Sequence, residues 1–462
     1  MPNWRCSKCN TENRPDGSFC RSCGEPRPKP EAVKIPDTGA ELTGGGPRSH
    51  SILDEFKSDL GSSFGKESRA SVSDSSSSLS KFSDMKIEAP DLSSIPTAAP
   101  HAGRVTTRNL ELELALYPRL NYVLAHCNLP TIISLGIRNN AYQAAQDVMI
   151  KAWIATDYGE PWQTTIKSIP PQQTYITKNV VLPLTKSRLQ QVREAERANL
   201  RIDIFTEGTL QVSETIPIEV IPYNEWCYHP NFAEVMACFV QPNSEAIEKI
   251  ISMVRDRLKR EFKDTSLDGY QSGDPRKVAQ MLEALYLTLQ KDLQLSYINP
   301  PPSFEKPETT ADGSFTISQK VFFPEQIVKH RRGTCLDLAL MGAACVERMG
   351  LNPLCFLIQG HAFFGAWTTP GPVSTAVFKT HATVMQLVSA GAWLPMNSTT
   401  FTMTPPKNFL GCLEEGVYCL SDPSTFWCAI DVAAARHAGF KPIPPMEMAP
   451  GATMRPGLGG GY

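Results

Sequence analysis

Gly333-Thr334-Cys335-Leu336-Asp337-Leu338-Ala339 decides how the second half of this chain is read. A helix is expected from near Thr334 to Gly350, glycine being the usual residue just past a helix C-terminus. Cys335 then opens the helix, where the macrodipole and the free N–H groups favour a thiolate. Downstream, residues 354–359, 362–367, 382–388 and 392–396 read as strands. His361 falls between the first two, where a neighbouring strand can hold it against the helix terminus. A neutral imidazole placed there takes the thiol proton and later protonates a leaving group. Asn397, or a nearby acceptor, would bond the other ring nitrogen and fix its tautomer.

Upstream of that stretch the period is helical. Ile247, Ile250, Ile251, Val254, Leu258 and Phe262 follow 3–4 spacing on one amphipathic face. Asp274-Pro275 starts a second helix, with Asp as N-cap and Pro at the first helical position. Helices first and a strand series after give an α+β domain over residues 224–445. Asp337 reads as a charge complementing the helix dipole, and Gln319 either as an oxyanion donor or as a solvated side chain. Lys329, His330, Arg331 and Arg332 form a solvated loop, or else depress the Cys335 pKa or grip phosphates.

The G-x-C-x-D-x-A run, the His361-Ala362 pair and Trp393-x-x-x-Asn397 resemble the transglutaminase-like (papain-like) superfamily of Cys-His-Asp/Asn enzymes. The resemblance implies Cys335 as nucleophile, His361 as base and Asn397 as the orienting residue. Asn397 departs from the Asp usual in transglutaminase-like members and matches the Asn of papain-like enzymes. Gly269-Tyr270-Gln271-Ser272, Ser296-Tyr297-Ile298-Asn299-Pro300-Pro301, Gly360-His361-Ala362-Phe363 and the run from Ile430 to Arg436 resemble the region ahead of the motor in large bacterial helicase-like proteins. No helicase motor is expected within these 462 residues. This likeness to effector-like architectures implies a bacterial conflict or phage-defence protein.

The N-terminus carries different chemistry. Cys6, Cys9, Cys20 and Cys23 are spaced C-x2-C-x10-C-x2-C. Two such knuckles give a closed tetrahedral S4 site for one structural Zn2+, and about 25 residues need that metal to fold. Residues 1–26 are therefore expected to be a zinc finger. With Trp4 and Asn13 included, the pattern is similar to the RanBP2-type zinc finger, whose members bind single-stranded RNA or ubiquitin, and the same segment also resembles small bacterial zinc ribbons. The resemblance assigns tentative RNA contacts to Trp4, Asn13, Arg14 and Arg21, with Trp4 stacking on a base. A protein contact and a passive cap remain equal readings.

Residues 27–104 read as a disordered Ser/Pro-rich linker. Eight of the thirteen residues from Ser71 to Ser83 are serine, and such a composition buries too little surface to offset chain entropy. Leu110, Leu112, Leu114 and Leu116 then alternate strictly. Strands are expected over 131–137, 148–154, 175–182, 200–205 and 216–221, with a helix over 187–199. Residues 105–223 thus read as an antiparallel, immunoglobulin-like β-sandwich serving as scaffold or docking surface. Residues 446–462 read as a flexible tail.

The 462 residues carry a net charge of −2, which argues against a body that binds polyanions over its whole surface. No run of about 18 apolar residues occurs and the start lacks a signal-peptide core, so a cytoplasmic chain without a membrane span is expected. In that compartment the thirteen cysteines are not a disulfide framework; eight outside the two sites read as reduced packing residues. The expected function is a cysteine-dependent hydrolase or acyl transferase, with a protein substrate or activating partner and possible homo-oligomers. The alternative is a zinc-finger-guided RNA-binding protein or ribonuclease using His361 and the basic cluster.

Overall fold

The computed structural model describes residues 109–445 apart from 156, 229–230, 265, 300–316 and 373–374. Short strands are also placed at Trp4–Arg5, Glu12–Asn13, Gly103–Thr106, Glu308–Thr309 and Phe315–Thr316. The chain divides into two units, Met1–Ser49 and His50–Tyr462. In the first, Trp4–Arg5 pairs antiparallel with Glu12–Asn13, with Trp4 opposite Asn13. Cys6, Cys9, Cys20, Cys23, Arg14 and Arg21 lie outside the described residues, as do 27–102 of the linker expected over 27–104 and the tail from 446; Gly103 and Arg104, expected as linker, instead begin the strand Gly103–Thr106. Among the described residues, no cluster of His, Cys, Asp and Glu could hold a metal ion, and no helix is long and apolar enough to cross a membrane.

The second unit is α+β. Its first sheet runs in the order Gly103–Thr106, Leu110–Leu116, Ile132–Asn139, Thr174–Val180, antiparallel throughout. Its second runs Arg119–Leu120, Thr209–Val220, Glu196–Thr206, Ala145–Ile154, Trp162–Ile169, and only the Arg119–Leu120 pairing is parallel. Alternation explains the buried faces: Leu110, Leu112, Leu114 and Leu116 from one sheet and Val148, Ile150, Ala152, Ile154, Ile202 and Ile204 from the other enter one apolar core. Glu207 and Gly208 both adopt positive φ, +47° and +76°, and close the Glu196–Thr206 and Thr209–Val220 hairpin with a primed turn that suits strand twist.

One expectation for this region is corrected and one strand is added. Only Lys186–Gln190 of the 187–199 segment is helical, and Glu196–Thr206 is a strand. The helix-forming Glu196 and Arg197 are overruled by pairing with Thr209–Val220, in a strand whose later residues Leu200–Phe205 also pair with Ala145–Ile154. Trp162–Ile169 is a strand that the pattern gives no sign of. It lies at a sheet edge with most of its side chains exposed or half-buried, so it carries no hydrophobic alternation.

The same apolar core continues beyond residue 223 into a helical layer and a third sheet. Helices Glu245–Arg257, Pro275–Leu287 and Cys335–Arg348 form where the 3.6 period places them, and the Asp274 carboxylate accepts from Arg276 N at 2.9 Å as N-cap. The sheet order is Val377–Phe378, Phe426–Asp431, Pro353–Ile358, His361–Trp367, Trp393–Met396, antiparallel throughout. Residues 382–388, expected as a strand, belong to the helix His381–Ser389; Val384 and Val388, four apart, supply its buried face. Cys335–Arg348 lies buried against the strand His361–Trp367. Gly342 permits the contact: a Cβ there would sit 2.4 Å from the Phe364 ring.

Candidate active site

The Cys335 helix begins where its capping chemistry demands. The Thr334 hydroxyl accepts from Asp337 N at 3.3 Å, and the Asp337 carboxylate accepts from Thr334 N at 2.9 Å, a reciprocal capping box. The other Asp337 oxygen accepts from Phe322 N at 2.8 Å and ties the preceding segment to the helix start. Asp337 is thus a buried structural group, and its burial pushes its pKa up to about 6. Cys335 takes the first helical position, where N–H groups lack an i−4 partner. Its side chain is 6% exposed.

His361 opens the strand that follows Pro353–Ile358, after a turn in which Gly360 adopts φ +69°. Its ring stacks on Phe363 with centroids 5.7 Å apart. Asn397 directly follows Trp393–Met396, the strand paired beside His361–Trp367, so both side chains come from the same end of neighbouring strands. Asn397 Oδ1 lies 3.1 Å from His361 Nε2. The same oxygen accepts from Thr399 N at 3.2 Å and from Thr399 Oγ1 at 2.9 Å, while Asn397 Nδ2 donates to Cys419 Sγ at 3.5 Å. A backbone N–H on Oδ1 fixes the amide orientation. Oδ1 can only accept, so His361 Nε2 carries a proton and donates it. The imidazole's Nδ1 is left for its side-chain hydrogen bond with Cys335.

The electrostatics follow from this geometry. Burial acts to raise the Cys335 pKa, but the hydrogen bond and charge of His361, the Ala362 backbone and the Tyr297 side chain outweigh it, and the net displacement is downward. Burial likewise acts to lower the His361 pKa, but Cys335 and Asn397 outweigh it, and the net displacement is upward. Opposite displacements favour a thiolate–imidazolium pair. Simple burial does the reverse: it pushes Cys227, Cys355, Cys412, Cys419 and Cys428 up to about 12.

Cys335, His361 and Asn397 therefore meet in one place. Gln319 reaches the same helix start: its strand Ser318–Lys320 pairs with Glu225–Cys227, and its Nε2 donates to Thr334 Oγ1 at 2.7 Å. Lys329, His330, Arg331 and Arg332 are exposed. The largest contributions lowering the Cys335 pKa come from His361, Ala362 and Tyr297, not from this cluster. Sequence reasoning gave no role to Tyr297, Thr399 or Cys419. Tyr297 arrives through the two-residue parallel pairing of Ser296–Tyr297 with Arg332–Gly333, too short to leave a pattern. Thr399 has a signal in hindsight, because Asn followed two residues later by a backbone N–H donor is an Asx-turn.

No protein-family model matches the chain, and no curated protein matches it.

Proposed function

We propose that the chain is a cysteine-dependent hydrolase or acyl transferase with a transglutaminase-like (papain-like) site formed by Cys335, His361 and Asn397. The observation that carries this reading is the His361 ring, held by Asn397 at Nε2 and hydrogen-bonded to Cys335, with the two pKa displacements in opposite senses. The Cys335 thiolate attacks an acyl carbon, and the carbonyl electron pair moves to oxygen. That oxyanion would meet the N–H groups of the first helical turn, whose start the Gln319 amide supports by donating to Thr334 Oγ1. His361 gives its Nδ1 proton to the leaving group as the tetrahedral intermediate collapses to a Cys335 thioester. Water or an amine then attacks the thioester while His361 takes up the proton, and the thiolate leaves.

Both nitrogens of His361 are engaged by Cys335 and Asn397, which favours nucleophilic catalysis over an RNA-cleaving role for this histidine. The two-sheet region before it is read as an immunoglobulin-like sandwich for docking. The N-terminal segment is read as a zinc finger that holds one Zn2+ through Cys6, Cys9, Cys20 and Cys23 and presents Trp4, Asn13, Arg14 and Arg21 to single-stranded RNA or a protein partner. The whole is read as a cytoplasmic defence effector.

The test is acylation by p-nitrophenyl acetate. The expected result is a stoichiometric burst of p-nitrophenolate with an acetyl group on Cys335, absent in Cys335→Ala. Addition of a primary amine then separates transferase from hydrolase by the product formed. A burst of equal size in Cys335→Ala overturns the reading.

A further inference from the structure

Cys127 and Cys238 are 111 residues apart in sequence, yet their Sγ atoms lie 3.3 Å apart. Among the described residues, this is the one thiol–thiol contact within hydrogen-bonding distance. Both backbones are held in place. Cys127 ends the helix Tyr122–His126, and its N–H donates to Val123 O at 2.9 Å. Cys238 sits in the 3-10 turn Ala233–Phe239, where the Arg436 guanidinium donates to Ala237 O at 2.8 Å and to Val240 O at 2.9 Å. Cys238 O in turn accepts from Ile443 N at 2.9 Å. The same guanidinium pairs with Glu347 in the last turns of the Cys335 helix. The contact therefore joins the two-sheet region to the framework of the candidate active site.

We propose that Cys127 and Cys238 are a reversible modification site, a thiol pair that peroxide converts to a disulfide. The sulfurs need to close by only about 1.3 Å to reach the ~2.05 Å of an S–S bond. Access and acidity divide the labour. Cys127 is half-buried and Cys238 fully buried, so the oxidant meets Cys127. The hydrogen bond from Cys238 lowers the Cys127 pKa, with Lys186 and Arg436 adding positive charge, whereas the same bond and burial raise that of Cys238. Cys127 is the nucleophile and Cys238 the resolving thiol.

The Cys127 thiolate attacks one oxygen of hydrogen peroxide, the O–O bond breaks, and hydroxide leaves, giving a sulfenic acid. The Cys238 sulfur then bonds to Cys127 sulfur as the S–O bond breaks, and the departing hydroxide takes the Cys238 proton as water. Two thiols and one peroxide become one disulfide and two waters: the sulfurs lose two electrons and the peroxide gains them. A dithiol reverses the step by exchange.

The experiment uses the full chain, reduced and then treated with hydrogen peroxide, digested without reductant and analysed by mass spectrometry. A Cys127–Cys238 linked peptide that disappears with dithiothreitol is expected. A bond closing so long a loop also raises Tm by about 5–10 °C in the wild type and not in Cys127→Ser. The linked peptide forms equally in Cys335→Ala, so this test is independent of the proposed catalysis. Recovery of Cys127 as free thiol or sulfonic acid, its linkage to other cysteines, or an unchanged Tm overturns the proposal.

Discussion

Replacing Asn397 by alanine isolates one interaction of the site. The side chain is 4% exposed, and its Oδ1 is the acceptor that holds His361 Nε2 at 3.1 Å. A hydrogen bond with a charged partner contributes about 1.5–3 kcal/mol. At about 1.36 kcal/mol per factor of ten, its loss lowers the population of the oriented thiolate–imidazolium pair by roughly 10- to 150-fold. His361 is half-buried, and water replacing the amide brings the effect toward the lower end. The assay is the rate constant for alkylation of Cys335 by iodoacetamide at neutral pH, read by peptide mass spectrometry. Stability falls as well, by about 1–3 kcal/mol, because Thr399 N loses its acceptor. Asn397→Asp separates the two effects. It keeps an acceptor for His361 and Thr399 and loses only the donation to Cys419, so most of the reactivity returns. Alanine at the wild-type rate, or aspartate as impaired as alanine, refutes the orienting role.

Further predictions concern the frame around the site. Asp337 has its pKa pushed up to about 6, above its unfolded value of 3.8, so its contribution to stability is complete below about pH 4 and is lost as pH rises through about 6. A displacement of about 2 units corresponds to about 3 kcal/mol, and chemical denaturation at pH 4 and pH 7 should show wild type losing about that much more than Asp337→Asn. Gly342→Ala forces a Cβ to 2.4 Å from the Phe364 ring; overpacking of this kind costs about 1–3 kcal/mol and lowers Tm, while an unchanged Tm contradicts the helix-on-strand contact.

The meeting of Cys335, His361 and Asn397 was legible because each stands at the end of an element with a strong local signal. Thr334 and Asp337 mark a helix start, Gly360 marks a turn, and the apolar runs around His361 and before Asn397 mark strands. What escaped reading depends on pairing between distant segments. Tyr297 reaches the helix start through a two-residue strand whose partner lies 36 positions away in register, and the choice between the two readings of Gln319 waits on a three-residue strand paired 93 positions away. The 382–388 segment is rich in β-branched residues, yet it packs as a helix on Val384 and Val388. Cys127, Cys238 and Cys419 look alike in a list of apolar positions. Only the fold gives the first two each other and the third an amide donor.

The most direct test of the central claim follows the pH dependence of Cys335 alkylation by iodoacetamide, residue by residue, in wild type and His361→Ala. A protein thiol left to itself titrates at about 8.5, and burial alone moves it higher. Since His361 lowers the Cys335 pKa, wild type should react at Cys335 ahead of buried Cys345 and Cys355, with a midpoint below the ordinary thiol range. In His361→Ala the His361 share of the lowering is removed while the burial stays, so the midpoint should move upward. A wild-type midpoint at or above the ordinary value, unchanged by His361→Ala, would contradict the Cys335–His361 pair.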